Sequence, residues 1–583
     1  MIGLISATAA GAAARDRLAT AWPDRTRVYD GPVREAVERA FAECDQLVCF
    51  LATGATIRLL APLLIDKSTD PGVVCVDEAG RYAVSLLGGH GGGANSLATE
   101  VGSTLSATPV ITTATDATGI PGLDTLGLPF EGATAKVTRA MLDGAPVTLR
   151  ADTVWPLPPL PPNVTAGGAG GVPAPPAPGT VRPDVTLFVS DRVVPLGPAD
   201  VVLRPPSLVV GVGASRGVGV DEVYRLVVDV LRDAGLSALS VGELATVDAK
   251  ADEPGIVGAA AELGVPVRTY LADVLASVDV PNPSDAPLAA VGTPSVAEAA
   301  ALAAAGRGGE LLVPKRKSSP QGRPAMATCA VVRRAPRGRL AVVGLGPGAR
   351  DLVTPRAVAE LRRASVLVGL DQYVDQIRDL LRPGTRVIES GLGREEERAR
   401  TAVAEARAGH AVALIGSGDA GVYAMASPAL AEAADDIEVV GVPGVTAALA
   451  AAAILGAPLG HDHVSISLSD LHTPWEVIER RVRAAAEADI VVTFYNPRSR
   501  GRDWQLPKAL ALLAEHRTGT TPVGVVRNAS RPDGTSHLTT LARIDPTTVD
   551  MMTVVTVGNT ATREIAGRMV TPRGYRWQSE GAR

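Results

Sequence analysis

Short runs of Val, Ile and Leu closed by glycine-containing turns alternate along most of this chain with Ala/Arg/Glu-rich stretches of helical length. "LAVVGLG" precedes "PRAVAELRRA", and "VVGVPG" precedes "VTAALAAAAIL". Parallel strands need such helix-length crossovers, and strands covered on both faces read as continuous apolar runs. The expected fold class is therefore α/β, with parallel sheets covered by helices. At 583 residues the chain is too long for one core, and about four compact units are expected.

Two seams divide the pattern. Residues 151–183, with "PLPPLPPNVTAGGAGGVPAPPAPGTVRP", carry few large apolar side chains and read as a Pro/Gly/Ala linker. A second seam falls at "RRAPRGRL", residues 333–340, between a β-like run and a new strand. The expected units are 1–150, 184–335, and a region that is internally double, 339–456 and 457–583.

The formal net charge of −6 argues against a nucleic-acid binder, which needs clustered cations over a broad face. Cys44, Cys49, Cys75 and Cys329 have neither metal-ligand nor disulfide-framework spacing and read as buried free thiols. The segment "MIGLISATAAGAAARDRLAT" lacks the charged and apolar regions of a leader and reads as strand, turn and helix. The longest apolar stretch, "VTAALAAAAILGAPLG", is broken by Gly456 and Pro458 and suits a core helix better than a membrane span. A soluble, cytoplasmic protein is expected, with no membrane and no nucleic-acid partner.

Residues 341–372 test a nucleotide reading. Gly344, Gly346, Ala349 and Asp371 satisfy a dinucleotide fingerprint formally. Thr354 as N-cap and Pro355 in the first turn, however, move the helix start past the glycines, and Pro347 removes a donor from the supposed cradle. A nicotinamide oxidoreductase is the weak alternative.

Polar tips recur after short apolar runs in 412–430, 439–463, 466–479, 491–506 and 554–562, where open α/β sheets bind ligands. Taken singly, "SGD" and "PGVTA" are ordinary turn and helix-entry chemistry, and Tyr423 and Tyr495 read as core aromatics. With "GLGPGARDLVTPRA", "SDLHTPW", "FYNPRS", "VGVVRNA" and "TPRGY", these segments resemble the tetrapyrrole (corrin/porphyrin) methylases over 339–583, most closely their precorrin-3B C(17)-methyltransferase branch. The resemblance implies a two-lobed methylase fold (class III) with S-adenosyl-L-methionine in the cleft between lobes. Carried over position by position, Pro347, Ser417, Gly418, Asp419, Val422, Thr446, Ala447, Asn496 and Gly558 are the implied cofactor residues, Asn496 standing where Met is common. His461, His463 and His472 lack companions at ligand spacing, so no metal site is expected; His461 is kept as a candidate general base or propionate contact.

In the amino-terminal half, Gly88–Gly93 permit close backbone approach, and Asn95 and Ser96 are candidate caps of the helix "SLATEVGSTL". His90, set among glycines, reads as exposed, with a satisfied structural histidine as the alternative. Residues 45–120 and 205–333, with "GGHGGGAN", "GVGASRGVGVDEV" and "KADEPGIVGAAAELGVPV", resemble the cobalt-precorrin-5A hydrolases. This first half is thus expected to comprise α/β hydrolase-family domains. The implied activity is opening of a δ-lactone with release of acetaldehyde. His90, Glu253 and Lys250 are the candidate base, second acid/base and oxyanion or carboxylate partner. The alternative for "KADE" is a solvated charged turn.

The combined expectation is a bifunctional enzyme of corrin-ring construction, with a tetrapyrrole substrate and cobalt only as part of it. A homodimer through the methylase half and other enzymes of the same pathway are the expected partners. The alternative is a methyltransferase whose first half binds the tetrapyrrole without hydrolysing it.

Overall fold

The computed structural model describes residues 1–66, 69–152, 154–167, 185–433 and 436–574. Two compact units are present, Met1–Pro336 with Arg382–Gly384, and Arg337–Leu381 with Thr385–Arg583.

The first unit contains three sheets. In the first, the strands run in the order Thr26–Val28, Ile2–Ser6, Gln46–Phe50, Gly72–Val76, Tyr82–Leu87 and Thr108–Val110. All neighbours are parallel except Gly72–Val76 and Tyr82–Leu87, which pair antiparallel. The helices Ala9–Ala21 and Ala94–Leu105 pack on one face, burying Leu18, Leu97 and Val101 with Leu4, Val48 and Val74. Each fully buried side chain of this kind contributes roughly 1.5–3 kcal/mol. Cys49 and Cys75 are register partners within this sheet, and burial pushes the Cys75 thiol up to about 11. All four cysteines are buried and unbridged.

The second sheet revises the expected linker. Val147–Ala151 pairs in parallel with Val185–Val189, which pairs with Asp200–Leu203. Strands on both sides of 151–183 therefore belong to one sheet. The first part of that segment is packed as well: Trp155, Leu157, Leu160 and Val164 cover the core formed by Met141, Leu187 and Leu203, and Val164–Ala166 pairs with Val147–Ala151 at the sheet edge. Prolines set the few large apolar residues apart but do not prevent an extended chain from laying them on a core, and an edge position tolerates missing donors. The remainder of the expected linker, 168–183, lies outside the described residues.

The third sheet runs Val267–Tyr270, Val241–Val247, Leu208–Ala214, Ala327–Arg333, Glu310–Lys317. The last three strands are antiparallel neighbours, so it is mixed where alternation predicts a parallel sheet.

In the second unit, Arg386–Ser390, Val366–Leu370, Ala411–Gly416, Arg339–Gly344 and Glu438–Val442 form a wholly parallel sheet. The other large sheet, His463–Ser467, Val491–Tyr495, Thr553–Val557, Pro522–Arg527 and Thr535–Thr540, has only its first pair parallel. Its last three strands meet through antiparallel pairs, for which the apolar pattern of each strand alone is no guide. Gly456–Ala457, at the expected boundary of the two lobes, pairs with Arg568–Val570. Helix Ala447–Leu455 is nine residues long, and among the described residues no helix is long and apolar enough to cross a membrane.

A buried ion pair fastens the second sheet of the first unit to the third. Asp191, 4% exposed, accepts from Arg333 Nε at 2.6 Å and Nη2 at 2.8 Å, and from Ser207 Oγ at 2.8 Å. Burial alone raises the Asp191 pKa, but the Arg333 and Ser207 hydrogen bonds outweigh it and hold the carboxyl below its ordinary 3.8. The pair's stabilisation is therefore complete above 3.8 and disappears as pH falls through the lower folded-state value. Asp191→Asn is expected to destabilise the first unit by about 3–5 kcal/mol at neutral pH, because Arg333 is left half-paired. Calorimetric unfolding should show this difference shrinking as the pH is lowered below the ordinary carboxylate value.

Candidate functional site

The carboxyl ends of the second unit's strands converge on one cavity of about 270 Å³. From the parallel sheet come the loops after Arg339–Gly344, Ala411–Gly416 and Glu438–Val442. From the mixed sheet come those after Val491–Tyr495 and Pro522–Arg527, with Thr553 and Val554. Pro347, Ser417, Gly418, Val422, Thr446, Ala447 and Asn496 all line it.

Backbone pairing sets the geometry of the first two loops. Gly344 and Gly416 are register partners, and the ladder resumes beyond the strands as Gly346 N–H donates to Gly418 O at 3.0 Å and Gly418 N–H to Gly346 O at 2.7 Å. Both glycines have positive φ, 77° and 67°. Asp419 does not line the cavity. Its carboxylate accepts from the amides of Gly421 at 2.8 Å and Gly444 at 3.0 Å, tying the second loop to the third. Gly558 also lies outside the lining; its carbonyl accepts from Arg517 Nη1 at 2.6 Å.

Thr354 caps helix Pro355–Arg363 by accepting from Ala357 N–H at 3.2 Å, so the helix starts beyond the glycines. Asp371, which the dinucleotide reading would place on a ribose, instead begins the short helix Asp371–Asp375 and accepts its neighbour Gln372 N–H.

Tyr495 acts beyond a core aromatic's role. Its hydroxyl is 2.5 Å from Thr446 Oγ1 and accepts from Ala448 N–H at 2.8 Å, capping helix Ala447–Leu455 at the cavity wall. Tyr423 is also no core residue: it is 54% exposed, its ring lies 5.3 Å from that of Tyr495, and its hydroxyl donates to Ser465 O at 2.8 Å. Tyr423, Asn496 and Asn528, all on the cavity wall, have φ of 53°, 49° and 49°. Side chains rarely adopt this region, and such strain concentrates at ligand sites. Asn528 adds a second signature. Its Nδ2 donates to Asp533 Oδ2 at 2.6 Å, which fixes the amide orientation, and its buried Oδ1 has no partner. "VGVVRNA" contains this residue, but no spacing distinguishes it from a turn asparagine.

A second cavity of about 1030 Å³ shares Tyr423, Met425 and Asn496 with the first and extends to His472, Thr473 and Arg481. His461 lines neither cavity. Half-exposed, it accepts the Asp462 N–H on Nδ1 at 2.8 Å.

In the first unit, His90 is less exposed than its glycine neighbours imply, with 18% of its side chain accessible. Nε2 is 2.7 Å from Thr115 Oγ1 and 3.5 Å from Asp116 Oδ2. Asn95 is neither cap nor surface. Helix Ala94–Leu105 begins at Gly93, and Asn95 is buried within it, donating to Asp116 and Thr113 and accepting from Ser85. Lys250 and Glu253 form a separate cluster. Glu253, 6% exposed, accepts Lys250 Nζ at 3.0 Å and Gly217 N–H at 2.7 Å. Burial raises the Glu253 pKa, but the Lys250 and Gly217 hydrogen bonds prevail and hold it below the usual carboxylate value. A carboxylate held this way is a poor proton donor near neutrality. No hydrogen bond or ion pair joins the His90 and Glu253 clusters among the described residues.

Comparison with known proteins assigns three segments. Residues 339–545 match the family model of the Tetrapyrrole (Corrin/Porphyrin) Methylases, 208–332 that of the Cobalamin synthesis G C-terminus, and 35–116 that of the Cobalamin synthesis G N-terminal. Over 239 residues the chain is 48% identical to a Salmonella typhimurium protein named "Probable cobalt-factor III C(17)-methyltransferase", spanning 40% of this chain and 99% of that protein. A Sinorhizobium "Precorrin-3B C(17)-methyltransferase" is 42% identical over 42% of this chain and 99% of its own length. The "Cobalt-factor III methyltransferase" of Priestia megaterium is 41% identical over 41% of this chain, which spans 45% of that relative. With relatives at 42–48% identity covered to 99% of their length, the chain belongs to the tetrapyrrole (corrin/porphyrin) methylases, joined in one polypeptide to the two cobalamin synthesis G segments.

Proposed function

We propose that this chain is a bifunctional enzyme of corrin-ring construction. The second unit methylates C-17 of a precorrin-3B-like tetrapyrrole, with or without cobalt, and couples this to ring contraction. The first unit opens the δ-lactone of a cobalt-precorrin-5A-like compound and releases acetaldehyde. The observation that carries the methylase reading is the strand-end cavity, lined by Pro347, Ser417, Gly418, Val422, Thr446, Ala447 and Asn496, inside a segment matched at up to 48% identity by C(17)-methyltransferases.

The residues present fit S-adenosyl-L-methionine. Asn528 Oδ1 is a buried acceptor awaiting a donor, and the wall otherwise combines apolar surface with hydroxyls and loop backbone. The cofactor, when bound, supplies a methyl group on a sulfonium sulfur. The chain's own work is positioning, since aligning two reactants removes several kcal/mol of entropic barrier. Asp419 serves by holding the loops that line the cavity, and Tyr495 by orienting Thr446 and the helix entry. The adjoining cavity, with His472 and Arg481 on its wall, is large enough for a macrocycle bearing acidic arms.

In the first unit His90 is the base for water attacking the lactone carbonyl, because Nδ1 is left free when Nε2 engages Thr115 and Asp116. Lys250 and Glu253 belong to a structural pair on this reading. Their mutual engagement favours the second possibility for this unit, a tetrapyrrole-binding module without hydrolysis. Four buried thiols accord with a reducing cytoplasm, and a homodimer formed through the methylase half completes the proposal.

Methyl transfer from labelled S-adenosylmethionine to the precorrin-3B-type substrate by the full chain tests the first activity; its absence sinks it. Acetaldehyde release from the lactone substrate separates hydrolase from binding module. His90→Ala should reduce that release by about 10²–10⁴-fold with methyl transfer retained. At Gly444 an added Cβ would lie 2.2 Å from Gly418 O, so Gly444→Ala must push the second and third loops apart. S-adenosylhomocysteine affinity measured calorimetrically should fall more than tenfold, about 1.4 kcal/mol.

A further inference from the structure

Helix Glu395–Arg407 places Arg398 on the wall of the strand-end cavity, 5% exposed. Its Nε donates to Ser390 Oγ at 2.9 Å and Nη2 to Gly391 O at 2.9 Å, while Nη1 faces Met425 Sδ at 3.6 Å. Every one of these partners is neutral, and one is a weak thioether acceptor. Among the described residues no carboxylate lies within ion-pairing distance. Glu395, one turn earlier on the same helix and also on the cavity wall, accepts from Gly393 N–H instead.

The other buried arginines of this unit, Arg339 and Arg517, lie away from the cavity lining. Arg339 pairs with Glu360 and Glu438. Arg517 spends its Nη donors on the carbonyls of Gly558, Ala485 and Ile490. Arg398 differs by facing the cavity, each of its three nitrogens engaged once and by a neutral group. A guanidinium cannot shed its proton to escape the cost of burial, an anion reaching it through the cavity offsets that cost, and its planar fork matches a carboxylate.

We propose that Arg398 binds a carboxylate of the ligand in this cavity, a role that rests on the methylase reading above. Two groups supply that chemistry: the methionine carboxylate of the cofactor, and an acetate or propionate arm of the macrocycle.

The full-length wild type, Arg398→Gln and Arg398→Lys are titrated with S-adenosylmethionine, with its decarboxylated analogue, and with uroporphyrin I as an octacarboxylate probe. If the cofactor supplies the group, wild type prefers S-adenosylmethionine to the analogue at least tenfold and Arg398→Gln erases the preference, uroporphyrin binding being unchanged. If the macrocycle supplies it, Arg398→Gln weakens uroporphyrin at least tenfold and leaves the cofactor preference alone. Arg398→Lys, which keeps the charge without the fork, should fall between in the affected arm. Retention of both preference and uroporphyrin affinity within twofold in a folded Arg398→Gln protein overturns the assignment. Should Arg398→Gln fail to fold, Arg398→Lys decides: a threefold or greater loss in one arm supports the assignment, and wild-type behaviour in both overturns it. A wild type that binds no S-adenosylmethionine removes the methylase reading, and Arg398 is then judged on uroporphyrin alone.

Discussion

Three strand-end loops of the second unit approach each other so closely that no side chain fits between them. A Cβ on Gly344 would lie 2.7 Å from Gly418 O and 2.8 Å from Gly444 N, and one on Gly444 only 2.2 Å from Gly418 O. Asp419 then laces the closure by accepting from Gly444 N–H. Because the loops are clamped backbone to backbone, the residues that follow them, Pro347, Ser417, Val422 and Thr446, share one cavity instead of fanning out over the strand ends. The glycines of "GLGPG" thus serve contact between loops; the phosphate-cradle alternative asks the same residues for donors that Pro347 and the late helix start withhold.

Charge is distributed on a different principle. Several ions buried for structure meet a counterpart: Asp191 with Arg333, Arg339 with Glu360, Glu253 with Lys250. On the cavity wall lie the Asn528 carbonyl, which has no partner, and the Arg398 guanidinium, whose partners are all neutral. Burial costs a polar group its hydration whether or not a partner is present, so a group left incomplete on a cavity wall gains most from a partner that arrives from solution.

Several parts of this arrangement were legible in the residues alone. Thr354 and Pro355 located a helix start, because capping is chemistry between residues three apart. The strand ends bearing "SGD" and "PGVTA" were legible for the same reason, an apolar run followed by a turn. Asn95 was misread as a cap because nothing local distinguishes it from a buried helix residue whose amide reaches Asp116, 21 positions away. Tyr423 was misread as core because aromaticity carries no information about φ or exposure. The segment at 151–183 was misread as a boundary because composition records how little it can bury, not that Val147–Ala151 and Val185–Val189 pair across it.

What the residue order determined by itself was local and periodic: the α/β alternation, the helix start at Thr354, the argument against a dinucleotide cradle, and, through motifs spread over 339–583, the family. What only the tertiary structure decided was long-range: which strands turn antiparallel, which loops share a cavity, and which charges are met. Apolar pattern and capping act between neighbours in sequence, whereas counter-ions, register and close backbone approach depend on residues brought together across tens to hundreds of positions. Arg333 meets Asp191 across 142 positions.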